Sequence, residues 1–340
     1  MVGLTNSFLK IDNIIDMKES DGLSAHDIGN GFIELNIPIY GDNMLSGIAY
    51  AVSPMFGNLP ESEKRKIIFD LSGIVTNIAN QIIYYTLDHL SQSLQNEQNN
   101  VAYAFLQRAT SFHISNHKLS LEGITTERHG KVCILEDEYK TMPLTRSVYE
   151  HLAMFYYLFN YTTDKNQREI IWNSWILRSE KNRIKGNLPE FEAERQTANK
   201  RIEDLKKAIH NNDISKKCTK SQIDGCLKGN AVFTVIKEGD KYITKKLSYD
   251  TAWQYLYGKS IDLALNYGYF SMHSHPTYIG LSQFYSQQEH IEYPLYESCH
   301  FLAYLCRLFM QQFQIDKSII TDSLTERERE IFSFLSNEII

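Results

Sequence analysis

Two pairs of residues repeat one spacing. Arg146 and Glu150 stand four apart, and so do Ser271 and His275. On a helix each pair shares a face. The first can form an ion pair, and the second can pass a proton between hydroxyl and imidazole. His151 adds a second imidazole directly after Glu150. If the two helices pack, the side chains converge. The result is either an acid–base site or a buried polar lock that fixes helix register. His275 precedes Pro276, which ends a helix there, and the negative end of a helix dipole favours a charged imidazole. His273 adds another chemistry. On a strand His273 and His275 point the same way and can share a metal; on a helix they point to nearly opposite sides. Residues 259–274 fit both periods, with Ile261, Leu263, Leu265, Tyr267 and Tyr269 alternating. Their length and helical surroundings favour a helix.

Three resemblances follow from these residues. Met272-His273-Ser274-His275-Pro276 resembles the zinc-binding core of JAMM-type deubiquitinating metalloproteases. It implies zinc on His273 and His275, holding a water of lowered pKa. Where that family places an Asp ligand, this chain has Tyr285. Arg146-x3-Glu150 and Ser271-x3-His275-Pro276-Thr277 resemble the marks of a helical bacterial family of unknown function. Arg146-x4-His151 resembles the R-x4-6-H motif of HEPN ribonucleases, and Arg108-x4-His113 matches it too. HEPN proteins are helical, usually dimeric, and common in toxin and phage-defence systems. The resemblance implies a homodimer that binds or cuts RNA without metal or other cofactor. Arg146 and His151 would do the chemistry, with Glu150, Ser271 and His275 nearby. Three functions stay open: a HEPN-like RNA-acting protein, a non-catalytic helical scaffold or sensor with a buried lock, and a JAMM-like zinc hydrolase.

The elements that must position these residues are mostly helices. Pro60-Glu61-Ser62-Glu63 starts a long one, and Ile67, Ile68, Leu71, Ile74, Val75, Ile78, Ile82, Ile83 and Leu87 keep a 3.6-residue period through it. Further helices are expected at 99–118, 143–161, 164–185, 189–211, 249–257, 259–274, 293–314 and 323–338. Thr141 or Thr145 caps the third, and Ser323-x-x-Glu326 reads as a capping box for the last. Ala231 to Ile236, a Glu238-Gly239-Asp240 turn, and Tyr242-Ile243-Thr244 read as a β-hairpin. A strand is expected at Lys131–Leu135. Glycines and Pro54 break up residues 1–58, where loops with one or two short strands or helical turns are expected. The expected fold is an all-α multi-helix bundle. It carries one small β-hairpin at 231–247 and an irregular segment at 1–58. The helical domain at 59–340 includes a charged helical hairpin at 164–211, whose basic clusters suit an acidic protein partner.

Composition narrows the classes. The 340 residues are 43% hydrophobic and 22% charged, enough to bury a core without staples. A net charge of −6 argues against nucleic-acid binding by bulk charge but leaves room for a local basic patch. Five cysteines without a C-x-x-C argue against a disulfide framework or a cysteine zinc site. Cys299 and Cys306, seven apart, are expected on one buried helix face. His300 reads as a satisfied core residue, whereas His89, His113, His117 and His129 read as surface or capping groups. Ser7, Lys10, Asp12 and Asn13 interrupt any signal-peptide core, and Asp70, Asn77, Asn80, Gln81 and Asp88 disfavour a membrane span at 67–90. A cytoplasmic protein with no membrane contact is expected.

Overall fold

The computed structural model describes residues 24–29, 32–40, 43–50, 61–121, 124–128, 131–135, 140–185, 192–257 and 293–336, with Ser271 and Ser274. Most of them are helical. The chain divides into two compact units, Met1–Leu152 with Leu265–Ile340, and Ala153–Ala264.

The first unit contains the long helices α1 (Glu61–His89) and α2 (Glu97–Leu121). Between them Asn96 caps α2, its Oδ1 accepting from the amides of Gln98 and Asn99. Helix α3 (Met142–Phe155) follows. The buried side of α1 is Ile68, Leu71, Val75, Ile78, Ala79 and Ile82, as the period predicts, whereas Leu87 stays 44% exposed. Among the described residues one segment, Arg65–His89, is long and apolar enough by length and composition to cross a membrane.

Strands β1 (Ser24–Gly29), β2 (Phe32–Tyr40) and β3 (Asn43–Tyr50) form an antiparallel sheet in that order. The segment expected to be largely irregular thus carries three strands. Strand β5 (Lys131–Leu135) occurs as expected and pairs with β4 (Ile124–Arg128).

The second unit contains α4 (Lys165–Arg183) and α5 (Glu192–Asn211), which pack as the expected charged hairpin. Asp164 caps α4 by accepting from the Gln167 amide. Glu180, only 7% exposed, joins the helices by pairing with Arg183 at 2.9 Å and with Arg201 across the hairpin at 3.3 Å. A short helix α6 (Lys220–Cys226) carries a Thr219/Gln222 capping box. Strands β6 (Val232–Glu238) and β7 (Lys241–Leu247) then form the expected hairpin. Its loop is Gly239-Asp240, with Gly239 at φ +58°, the sign a type II′ turn needs at its first position. Helix α7 (Tyr249–Tyr257) follows.

Helix α4 also bonds to the outer edge of β6. Ser174 Oγ accepts from the Phe233 amide at 3.2 Å and lies 3.3 Å from its carbonyl, and Gln167 Nε2 donates to the Val235 carbonyl at 2.9 Å. The buried edge of the strand therefore has partners.

The remaining helices belong to the first unit: α8 (Tyr293–Phe313), α9 (Ser318–Thr321) and α10 (Glu326–Leu335). Helix α8 packs on both α1 and α2. It ends with Gln314 at φ +52° and a bond from the Ile315 amide to the Met310 carbonyl, a Schellman closure. The capping box of α10 is not Ser323 with Glu326. It sits two residues on, where Glu328 accepts from Thr325 and the Glu328 amide donates to Thr325 Oγ1. Both pairs fit the S/T-x-x-E pattern, and the helix begins where the second is in reach.

Replacing Ser174 by Ala leaves the buried Phe233 amide without its partner. We expect a loss of about 1–3 kcal/mol in unfolding free energy by urea titration, with the hairpin's fold retained.

Candidate functional site

Arg146, Glu150 and His151 all lie on α3 and are half-buried. Arg146 Nε donates to Glu150 Oε1 at 2.8 Å, the i, i+4 pairing the spacing predicts. His151 points elsewhere. Five residues along a helix turn the side chain by about 140° from Arg146. Its Nδ1 lies 2.7 Å from the Ser147 carbonyl, which can only accept, so Nδ1 carries the proton. Nε2 is then the lone-pair nitrogen. The ring sits between Phe105 and Phe112 of α2, edge to face, at 5.6 and 5.4 Å. Burial lowers its pKa first, and the Arg108 guanidinium lowers it further, so His151 is neutral near pH 7. Arg108 itself lies over the Phe112 ring.

Ser271 is helical and half-buried, and Ser274 is in a turn. His273 and His275 lie outside the described residues. Among the described residues no group of three or more His, Cys, Asp or Glu is placed to hold a metal.

The polar centre of the first unit lies elsewhere. His113, expected at the surface, is fully buried. Its Nε2 lies 2.9 Å from Ser72 Oγ on α1, and its Nδ1 lies 2.7 Å from Ser298 Oγ on α8. His117, one turn on, places Nδ1 2.8 Å from the same Ser72 hydroxyl. One arrangement satisfies these three contacts. His117 Nδ1–H donates to Ser72, Ser72 donates to His113 Nε2, and His113 Nδ1–H donates to Ser298. This requires a neutral His113. Burial, followed by the neighbouring His117, keeps its pKa down at about 4, against the bonding to Ser72. His117 is also lowered by burial and stacks edge-on against Phe69 at 5.1 Å.

A second relay runs beside the first. Asn116 Nδ2 donates to Thr145 Oγ1 at 2.7 Å, and Thr145 donates to the Pro294 carbonyl at 2.8 Å. Ser72, His113, Asn116, Thr145 and Ser298 are all 0% exposed. Together the relays tie α1, α2, α3 and α8 through hydroxyl, amide and imidazole groups.

Cys299 and Cys306 are both 0% exposed, on one buried face as expected. Burial pushes both thiols up, which keeps them protonated and poor nucleophiles. His300 is the core residue expected: burial holds its pKa down at about 4, against a hydrogen bond to the Leu335 backbone.

The Arg-x4-His spacing therefore delivers both of its imidazoles to neutral, packed positions. The buried relays escaped the sequence reading because α2 turns polar there. The residues continue the helix period all the same. Ala102, Leu106, Ala109, His113, Asn116 and Ser120 recur at steps of three and four on its buried side. Comparison with protein families, with curated proteins and with solved structures finds no match for this chain.

The His113 geometry has a pH consequence. Unfolded, His113 takes a proton below about pH 6.5; folded, it resists until about pH 4. The unfolded state binds more protons in this window, so stability falls as pH drops from 6.5 to 4. The slope is up to about 1.4 kcal/mol per pH unit from this group. Urea unfolding across that range should show it, with His113→Gln reducing the slope by about one proton.

Proposed function

We propose that this chain is a non-catalytic helical scaffold or sensor of the cytoplasm, held in register by buried hydroxyl–imidazole relays. The observation that carries this reading is His113, fully buried between Ser72 and Ser298. An imidazole so placed reaches no substrate, and its two bonds fix α2 against α1 and α8. Such polar networks specify one packing among many, because each wrong register leaves a buried polar group unpaired. The charged hairpin of α4 and α5 is the part suited to a partner. Of the lock expected from the sequence, Arg146 and Glu150 pair at 2.8 Å, whereas His275 lies outside the described residues. The Arg146 and Glu150 side chains are 21% and 27% exposed, and an i, i+4 pair this accessible contributes about 0.3–0.5 kcal/mol by itself.

A HEPN-like ribonuclease is the second reading, and one observation favours it. His151 is neutral, keeps Nε2 as a proton acceptor, and has the Arg108 cation near it. That combination suits a general base beside a charge-stabilising arginine.

Incubating the full chain with total cellular RNA in EDTA separates the two. The scaffold reading expects intact RNA from wild type, Arg146→Ala and His151→Ala alike. Wild-type cleavage that disappears in folded His151→Ala would overturn it in favour of the ribonuclease.

A further inference from the structure

The second unit holds a cleft of roughly 770 Å³ between α4, α5 and the loop after α6. Five basic side chains line it: Arg178, Lys181, Lys185, Lys206 and Lys228. They face a single carboxylate, Glu203, which Lys206 already engages at 2.6 Å. The whole chain is net −6, so this concentration of positive charge is local. The C-terminal end of α4 draws cations by its dipole. That accounts for residues on α4 but not for Lys206 from α5 or Lys228 from the loop.

The cleft is also built. Lys181 Nζ donates to the carbonyls of Leu227 and Lys228 at 2.9 and 2.7 Å, fixing the loop to α4. Gly229 sits over this lysine at φ +70°, and a Cβ there would meet Lys181 Cδ at 2.4 Å. At this positive φ and this close to the lysine, glycine is the residue that closes the loop without strain. The loop thereby presents Lys228 to the same cleft as Arg178 and Lys185. Among the described residues no carboxylate pairs with Arg178, Lys185 or Lys228. No aromatic side chain lines the cleft, so it offers charge and donors but no stacking surface for a base.

We infer that this cleft binds a ligand carrying two or more adjacent phosphates, recognised through its phosphates alone. Several clustered cations suit a chain of phosphates better than a single anion, and an arginine fork with lysine point charges is the donor set such a ligand takes. Inorganic polyphosphate and the backbone of single-stranded RNA share this chemistry.

Isothermal titration of sodium tripolyphosphate into the full chain at low salt tests the inference. Saturable binding near one to one is expected, weakened roughly tenfold or more in the Arg178→Ala/Lys228→Ala double variant. Lys200→Ala, outside the cleft, should bind as wild type and shows that general charge is not responsible. An eight-residue oligouridylate serves as the second probe. Competition with tripolyphosphate, or RNA binding alone that the double variant loses, assigns the phosphates to an RNA backbone. Tripolyphosphate binding alone assigns them to a small ligand. No saturable binding of either probe, or binding that persists in the folded double variant, overturns the inference.

Discussion

The first unit depends on keeping one imidazole dry and neutral. His113 costs too much to bury charged, and too much to bury without partners. Ser72 and Ser298 meet both requirements at once, one from α1 and one from α8. Because each bond is short and comes from a different helix, the helices have little freedom to slide. The surrounding apolar side chains supply most of the burial, but burial alone is indifferent to a small shift along the helix axis. The polar relays are not.

Much of the fold was legible in the sequence. The 3.6-residue period of α1 and the β-branched run of β6 each have one dominant physical cause, and both elements formed where expected. Periodicity also placed Cys299 and Cys306 together. The capping box of α10 went to the competing Thr325/Glu328 pair because Ser323 and Thr325 satisfy the same pattern and only the helix start decides. His113 was misread for a different reason. Its place among polar residues suggested a wet face, but solvent exposure depends on what packs opposite. Here the opposite partners, Ser72 and Ser298, are 41 and 185 residues away.

The same distance limits what spacing says about a site. Arg146 and Glu150 meet because four residues make a turn, so local geometry suffices. Arg146 and His151 are separated by the same local geometry, and the cation that acts on His151 is Arg108 from α2. A motif written along one helix thus dissolves into two neighbourhoods. The basic cleft shows the reverse case. Its cations come from three stretches of chain, and only the folding of the α6–β6 loop over Lys181 brings Lys228 to the others.

The bonding between α4 and β6 bears on how this protein behaves at high concentration. A two-stranded ribbon has two open edges, and an open edge can recruit a strand from another molecule. Ser174 and Gln167 occupy the Phe233 amide and carbonyl and the Val235 carbonyl on the β6 side. On the other strand Lys241, Lys245 and Lys246 bring charges that repel an identical copy. The buried part of one edge is engaged by side chains and the other is guarded by charge, which disfavours seeding of intermolecular β-aggregation.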